Sequence, residues 1–370
     1  YNDGNGNNSG LFRVYNWNEI DKKWNKLGED IYGLAAGDFN GFSVSISGDG
    51  STIAVGAIYN DSDTNNVNDN RGLVRLYYYD SEQLIWKQFG QNIYGKASGD
   101  RFGFSISLSY DGYTIAIGAP YNDDNGSDSG QVKVYYWDET KTENNWTQLG
   151  TDINGEAIND RSGFSISLSG DGKVVAIGAP YNDGANGSDS GHVRVYYWDE
   201  TQTKWIQRGL DIDGEAIDDI SGRSVSISQD GNFVAIGASN NNGNGTKSGH
   251  VRVYNWDQNQ TKWNQRGQDI DGLIGDRSGW SVSISSDGTI VAIGAQYNDS
   301  NGMDSGQVKL YSWNQNENKW IQRGEDINGE SQYSQSGCAI SLSADGNRIA
   351  IGALANSNDN GSFSGHVRVY

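Results

Sequence analysis

The stretch SGFSISLSGDGKVVAIGAPYNDGANGSDSGHVRVYYW, residues 162–198, contains the unit from which the chain is built. Its core pattern, S-x-S-x-S-x-D-G-x-x-x-A-[IV]-G-A, occurs six times, the last copy having Ala339 in place of its first serine. Successive copies lie 57 to 62 residues apart and end at Ala57, Ala119, Ala179, Ala238, Ala295 and Ala353. A fixed period of this size is the signature of a repeat architecture, so the fold follows from one unit and its neighbours.

Each unit is predicted to form four strands and no helix. Hydroxyl and aliphatic residues alternate in the first strand, and Asp171-Gly172 separates it from the second. Asp-Gly between two strand-like runs indicates a tight hairpin, because glycine accepts the positive φ that such a turn demands. A polar loop rich in Asn, Asp, Ser and Gly precedes the third strand. The four strands are predicted at 164–168, 174–179, 192–198 and 204–208.

A single four-stranded sheet cannot cover both of its faces. One face carries Ser, Ala and Gly, and the other carries Val, Ile, Tyr and Trp. Packing the bulky face of one sheet against the small-residue face of the next, around a ring, gives an all-β propeller with short edges. A linear β-solenoid is the alternative, but its repeats are usually about 20 to 30 residues long. The propeller blades are predicted to start near residues 42, 103, 163, 222, 279 and 337.

The strand count leaves the ring closure open. First and second strands occur six times and third strands seven times, the last at 366–370 without a fourth strand. Residues 10–28 are predicted to be outer strands that close the ring, with 22–27 as a strap, or that belong to a neighbouring blade. The sequence therefore predicts one propeller domain over 1–370, with six blades, or seven if the chain is a trimmed fragment.

Composition excludes two classes of partner. The formal charge is −20 and the pI is about 4.4. A surface of this charge repels a phosphate backbone and anionic lipid, which disfavours nucleic-acid and membrane binding. No apolar run approaches the roughly 18 residues that a membrane span needs.

Two glycine-containing motifs give a family resemblance. Phe102-Gly103 with Gly118-Ala119-Pro120, and Gly163-Phe164 with Gly178-Ala179-Pro180, resemble the FG-GAP repeats of the integrin α-subunit propeller. The other copies keep Gly-Ala and replace the proline, and the resemblance covers essentially the whole chain. It implies an extracellular propeller used for adhesion or assembly. Calcium-binding members carry an extended loop between the first two strands, whereas here that loop is only Ser169–Gly172.

The ionisable residues predict no catalytic site. The three histidines, His192, His250 and His366, occupy one repeat position, and a position repeated around a ring is expected to be structural. Most acidic residues also recur at equivalent positions, which favours turn-capping carboxylates over an enzyme acid or base. No residue cluster occurs in one blade only, so no catalytic residue and no cofactor other than calcium is predicted.

Two kinds of binding or modification site remain as hypotheses, both centred on the loop between the second and third strands. Oxygen-rich side chains there could bind calcium, which takes about six to eight oxygen ligands. The candidates are Asp61, Asp63, Asn65, Asp123, Asp128, Asp183 and Asp189. Sequons of the form N-x-[ST] mark glycosylation candidates or simply repeated turns. They are Asn7, Asn60, Asn125, Asn145, Asn186, Asn244, Asn259, Asn298 and Asn360.

The near-identity of the blades predicts a non-catalytic protein at the cell surface or outside the cell. We expect an adhesion module or a building block of an assembly or filament, whose partners are other protein subunits, including copies of itself, with glycans as a further candidate partner. A glycan-binding lectin is the first alternative, because tryptophans recur once per blade. A hydrolase with a site on the top face of the ring is the second.

Overall fold

The chain folds into strands joined by turns. The computed structural model describes residues 3–61, 69–143, 145–357, 361 and 363–370. Helices are absent from these ranges, and the described residues include no helix long and apolar enough to cross a membrane. Contacts between Cα atoms divide the chain into two compact units, 1–163 and 164–370.

The first unit contains fourteen strands within its described residues. The N-terminal strands are β1 (Leu11–Phe12), β2 (Tyr15–Asn18), β3 (Lys23–Lys26) and β4 (Ile31–Tyr32). The next sheet has β5 (Asn40–Ile46), β6 (Thr52–Ala57), β7 (Leu73–Asp80), β8 (Ile85–Gln88) and β9 (Ile93–Tyr94). It is followed by β10 (Ser105–Leu108), β11 (Thr114–Ala119), β12 (Gln131–Trp137), β13 (Trp146–Gln148) and β14 (Ile153–Asn154).

The second unit repeats this plan over its described residues. Its first sheet has β15 (Ser165–Leu168), β16 (Val174–Ala179), β17 (His192–Asp199), β18 (Lys204–Gln207) and β19 (Ile212–Asp213). The next has β20 (Ser221–Ile227), β21 (Phe233–Ala238), β22 (His250–Asp257), β23 (Lys262–Gln265) and β24 (Ile270–Asp271). Then come β25 (Ser281–Ile284), β26 (Ile290–Ala295), β27 (Gln307–Asn314), β28 (Lys319–Gln322) and β29 (Ile327–Asn328). The last sheet has β30 (Ser336–Leu342), β31 (Ile349–Ala353) and β32 (His366–Val369).

Every complete sheet is an antiparallel meander of four strands with one short addition. The strands pair in sequence order, and the two-residue fifth strand pairs with the beginning of the third. In the sheet β15–β19, for example, His192 lies opposite Asp213 and Val193 opposite Ile212. The N-terminal strands form two pairs, β1 with β4 and β2 with β3. The sequence predicted four strands per unit, and this fifth strand corrects that prediction; it lies in a recurring D-I-x-G segment, residues 211–214 in this sheet.

The Asp-Gly turns form as expected. Gly172 has a φ of 70°, a left-handed conformation that suits glycine. The Asp171 carboxylate accepts hydrogen bonds from the Ser169 hydroxyl at 2.6 Å and the Lys173 amide at 3.0 Å. A carboxylate bonded in this way holds the turn, which agrees with the structural role predicted for such acids.

Neighbouring sheets of the second unit pack a bulky face against a small-residue face. A Cβ atom on Gly178 would lie 2.1 Å from the carbonyl oxygen of Gly222 in the next sheet, so only glycine fits there. The Ser165 hydroxyl donates a hydrogen bond to that same oxygen at 2.8 Å. Ala176, Val193 and Val195 of one sheet share a buried cluster with Val225 and Ile236 of the next. The face complementarity predicted from the repeat therefore forms the core.

The predicted fold class is confirmed: the chain is an all-β propeller, with six blade sheets in its described residues. The predicted blade starts, the single domain over 1–370 and the closing role of 10–28 stay predictions.

Candidate functional site

One edge of each sheet collects polar side chains from several strands. This edge, which we call the loop edge, runs across the ends of the strands. The first and third strands begin there, and the second strand ends there. Across the sheet β20–β24, Ser221 lies opposite Ala238, Ala238 opposite His250 and His250 opposite Asp271. Neighbouring strands are about 4.8 Å apart, so side chains in such a row can share one site.

An imidazole, two carboxylates and a guanidinium meet at this edge. The Nδ1 atom of His250 lies 3.9 Å from Glu215 Oε2 and 3.9 Å from Asp269 Oδ2. An Arg252 side-chain nitrogen lies 3.4 Å from Glu215 Oε1, and its other terminal nitrogen donates to the Asp213 carbonyl oxygen at 2.6 Å. We call Glu215, His250, Arg252 and Asp269 the histidine cluster.

The electrostatics of the histidine cluster give its members different roles. The His250 side chain is only 2% exposed, and burial, aided by the positive charge of Arg252, lowers its pKa to about 4. The imidazole is therefore neutral at physiological pH. The Glu215 side chain is 45% exposed, and its pKa is raised, chiefly by desolvation and also by Asp269. Glu215 is thus the accessible group with enhanced basicity.

The same atoms could hold a cation. One ligand atom from each of Glu215, His250 and Asp269 lies within 4.8 Å of the other two. Imidazole nitrogen combined with carboxylate oxygen suits divalent transition metals better than calcium, which prefers oxygen alone. The arrangement can therefore serve as an acid–base cluster or as a divalent-metal site.

Equivalent histidine positions in other sheets also face acids, with His192 Nδ1 3.8 Å from Asp211 Oδ2, whereas the glutamine position has an amide and an acid as partners. Gln307 donates from Nε2 to Asn328 Oδ1 at 2.8 Å and to Asp326 Oδ2 at 3.1 Å. His366 Nδ1 lies 3.5 Å from Glu330 Oε2. The third-strand histidines were predicted to be structural because their position repeats. That argument overlooked the carboxylates of the histidine cluster. Glu215 follows the D-I-x-G glycine of the preceding repeat, and Asp269 directly precedes the unexpected fifth strand.

A cation–aromatic stack lies at the start of the first strands. The guanidinium carbon of Arg223 is 3.9 Å from the ring centroid of Trp280 and 4.8 Å from that of Phe164. Tyr297 packs against Trp280 with centroids 5.5 Å apart. The repeat position of Arg223 is occupied elsewhere by Phe42, Phe104, Phe164, Trp280 and Cys338. This change of charge at one repeat position is an asymmetry that the sequence argument overlooked.

The predicted calcium ligands do not converge in their described parts. Asp61, Asp123 and Asp183 each accept a hydrogen bond from a backbone amide of their own loop, at 2.8 to 2.9 Å. The amide donors of the last two bonds belong to Asp128 and Asp189. Carboxylates used in this way cap a turn. Asp63 and Asn65 lie outside the described residues, and calcium binding stays a prediction.

Several sequon asparagines brace the fold. Asn60 and Asn298 are 5% and 2% exposed and donate to Asp38 and Asp276, so neither side chain has room for a glycan in this fold. Asn125, Asn186 and Asn244 are exposed, and their side-chain amides donate to the glycine carbonyl of a D-I-x-G segment at 2.6 to 2.8 Å. Asn7, Asn125, Asn145, Asn186, Asn244 and Asn259 stay glycosylation candidates, and Asn360 lies outside the described residues.

Comparison with known proteins agrees with the repeat architecture. A family model described as FG-GAP repeat matches residues 95–135, 154–196 and 269–311. Together with the sheets, these matches define the chain as a repeat-built β-propeller. Three FG-GAP repeats therefore lie within this propeller. Similarity to the integrin α subunit in particular stays a prediction, and no curated protein matches the sequence.

Two solved structures share the fold over nearly the whole chain. One is a crystal structure of a candidate 6-phosphogluconolactonase from Bacteroides uniformis ATCC 8492, with 12% identity and a TM-score of 0.60, covering 96% of this chain and 90% of that one. The other is the periplasmic gluconolactonase PpgL of Pseudomonas aeruginosa, with 14% identity and a TM-score of 0.58, covering 96% and 94%. At these identities the likeness shows the fold.

These structures contradict the prediction of a non-catalytic adhesion or building-block propeller, and that prediction is wrong. It rested on the premise that near-identical blades exclude an active site. Both structural relatives are named as lactonases, which are hydrolases, so this architecture carries enzymes. The premise fails physically because repeated backbones can position different side chains, as His250 and Gln307 do.

Proposed function

We propose that this protein is a hydrolase that opens the lactone of a sugar acid at the histidine cluster. The observation that carries the proposal is the accessible Glu215 carboxylate, whose pKa is raised and which lies beside the neutral imidazole of His250. A general base works best when its pKa is shifted toward the working pH. The substrate class is supported by the names of the two structural relatives.

The proposed reaction uses Glu215 first as base and then as acid. Its carboxylate accepts a proton from water while the water oxygen bonds to the lactone carbonyl carbon. The carbonyl π electrons move to the carbonyl oxygen and give a tetrahedral intermediate. On collapse, the bond from this carbon to the ring oxygen breaks, and the ring oxygen takes the proton back from Glu215. The product is the open hydroxy acid, whose carboxyl proton passes to solvent.

The other cluster members position Glu215 and set its charge. Arg252 lies 3.4 Å from one oxygen of the Glu215 carboxylate and favours its charged form, while Asp269 raises its pKa. Aromatic rings and the Arg223 guanidinium on the same edge offer contacts for a polar ring that carries negative charge. If Glu215, His250 and Asp269 hold a divalent cation, that ion would polarise the carbonyl oxygen.

A pH-stat assay of D-glucono-1,5-lactone hydrolysis above the spontaneous rate tests the proposal. Removal of a general base usually costs about 10² to 10⁴ in rate. We expect Glu215→Gln to lower kcat/KM at least about a hundredfold. Glu317→Gln, the same substitution at a carboxylate paired with Lys319 on an outer turn, is the control and should keep the rate. No hydrolysis by the wild type, with this lactone or its 6-phosphate, would overturn the proposal.

The proposal includes a location outside the cytoplasm. FG-GAP repeats and a structural relative named as periplasmic both hint at a secreted or periplasmic protein. We place this protein at the cell surface or in the extracellular medium. Fractionation of cells that make the full-length protein tests this, and recovery with the cytoplasmic fraction would contradict it. Association with further copies of the chain stays a prediction.

A further inference from the structure

A cavity of about 540 Å³ lies at the opposite edge of two sheets in the second unit. This turn edge carries the Asp-Gly turns and the turns between third and fourth strands. The cavity is formed by the end of the third strand of β15–β19 and the neighbouring turns of β20–β24. The cavity and the histidine cluster therefore lie at opposite ends of the strands.

Aromatic rings form part of the wall. Tyr197 is 37% exposed, and Trp198 and Trp256 are partly exposed. Trp256 is held in place, because its indole nitrogen donates to Gln258 Oε1 at 2.9 Å and the Arg208 guanidinium stacks over its ring at 4.7 Å. Fixed aromatic rings suit the apolar face of a sugar ring, since little freedom is lost on binding.

Polar groups complete the lining. Lys173, Gln207, Asp230 and Thr261 place ammonium, amide, carboxylate and hydroxyl groups around the rings. Lys173 is also paired with Glu200, Gln207 donates to Asp211, and Asp230 accepts from Ser228 and Asn232. Arg208 donates hydrogen bonds to the Gly231 carbonyl at 2.7 Å and to Asn232 Oδ1 at 2.8 Å, so its guanidinium is a structural part of the cavity wall. A cavity with aromatic surface and convergent hydrogen-bonding groups has the general character of a small-ligand site.

The side chain at position 174 is one difference between this cavity and its counterpart one repeat later. Val174 lines the cavity, and the residue at its position in the next repeat is Phe233. There the Phe233 ring packs under Arg266, which lies 4.4 Å from the ring centroid and 4.6 Å from that of Trp313. The smaller valine leaves open the space beneath the equivalent Arg208. Tyr197 is likewise replaced by Asn255 in the next repeat.

We propose that this cavity, which we call the turn-edge pocket, binds one pyranose unit of a glycan. The sugar stacks on the aromatic rings, and its hydroxyl groups bond to the surrounding polar side chains. The pocket is a second, non-catalytic site and does not depend on the proposed hydrolase activity.

The test titrates methyl pyranosides of glucose, galactose, mannose and N-acetylglucosamine by calorimetry, with tryptophan fluorescence in parallel. We expect at least one of them to bind the wild type. Val174→Phe fills the pocket with the residue of the next repeat and should weaken binding at least about tenfold, a loss of about 1.4 kcal/mol. Ile290→Phe, which introduces the same residue at the equivalent position two repeats along, is the matched control and should leave the affinity unchanged.

Tyr197→Asn is a second, independent pocket variant, which keeps the test valid if Val174→Phe impairs folding. It removes one aromatic ring with a residue the next repeat already carries, and it should also weaken binding. No binding of any of the four sugars to the wild type, or unchanged binding in both pocket variants, would overturn the proposal. Val174→Phe should keep lactone hydrolysis, so failure of the hydrolase proposal and failure of this one give different results.

Discussion

The sheets β20–β24 and β25–β29 share strand order and the register of their third and fifth strands, but they differ at several polar positions. His250 lies opposite Asp271 in the first, and Gln307 lies opposite Asn328 in the second. The Gln307 amide makes hydrogen bonds of 2.8 to 3.2 Å to three neighbours. The His250 imidazole instead faces two carboxylates at 3.9 Å, too far for hydrogen bonds.

The comparison shows that the same backbone position can hold a structural hydrogen-bond donor, Gln307, in one sheet and a titratable side chain, His250, in the other. Leu273 stands where the histidine cluster has Glu215, and Lys309 stands where it has Arg252. Gln307 Nε2 donates to one amide, one acid and one hydroxyl group, whereas the histidine position gathers charge around a buried neutral ring. Exchanging residues between the two sheets therefore tests which side chains make the site.

The largest expected effect comes from His250→Gln under acid conditions. The unfolded imidazole titrates near pH 6.5 and the folded one near 4, so folding opposes protonation. The stability that neutral His250 contributes is complete above pH 6.5 and is lost as pH falls toward 4, by about 3 kcal/mol. Urea denaturation at pH 7 and pH 4 should show the wild type losing about that much more than the variant.

His192 provides an independent check. Burial lowers its pKa to about 4 as well. The double variant His192→Gln/His250→Gln should lose roughly twice as much of the pH dependence as the single one. Equal losses of stability in wild type and His250→Gln between pH 7 and pH 4 would contradict the assignment of a neutral, buried imidazole.

Much of the fold was predictable because the residues that form its turns and its sheet-to-sheet contacts recur in every repeat. Asp171-Gly172 marks a hairpin, and the glycine at Gly178 marks a close approach between sheets. The fifth strand was not predictable, because a two-residue strand such as Ile212–Asp213 shows no alternation. It forms only because the third strand offers free backbone groups beside it.

The histidine cluster was harder to predict than the fold. His250 and Asp269 belong to one repeat and Glu215 to the preceding one, so no local motif joins them. Treating a repeated position as purely structural also hid the site, although the residues there vary between His and Gln. The sequons show how one recurring residue type can have a structural contact as well, because Asn186 and Asn244 donate hydrogen bonds to the backbone and stay glycosylation candidates.

A smaller effect is expected from Arg252→Lys, which introduces the residue of the next sheet. Arg252 is 6% exposed, and one of its nitrogens donates to the Asp213 carbonyl at 2.6 Å while another lies near Glu215. A lysine cannot make both contacts, and the lost hydrogen bond should lower the free energy of unfolding by about 1 kcal/mol. Lys309→Arg is the reverse control and should be neutral. No change in urea-denaturation midpoint for Arg252→Lys would show that the guanidinium geometry does not support the cluster.

The smallest effect is expected from Leu273→Glu, which places a glutamate near Gln307 at the repeat position that Glu215 occupies near His250. Leu273 is 58% exposed, so its removal costs little packing. By analogy with Glu215, the new carboxylate would lie near Gln307 and Asp326, and repulsion between the two acids should destabilise the fold by a few tenths of a kcal/mol at pH 7. Because exposed charges are screened by salt, thermal melts in 0.5 M NaCl should recover the wild-type midpoint. A loss that persists in salt would mean that the acid at this position strains the loop itself, and that Glu215 is held by backbone geometry more than by Arg252.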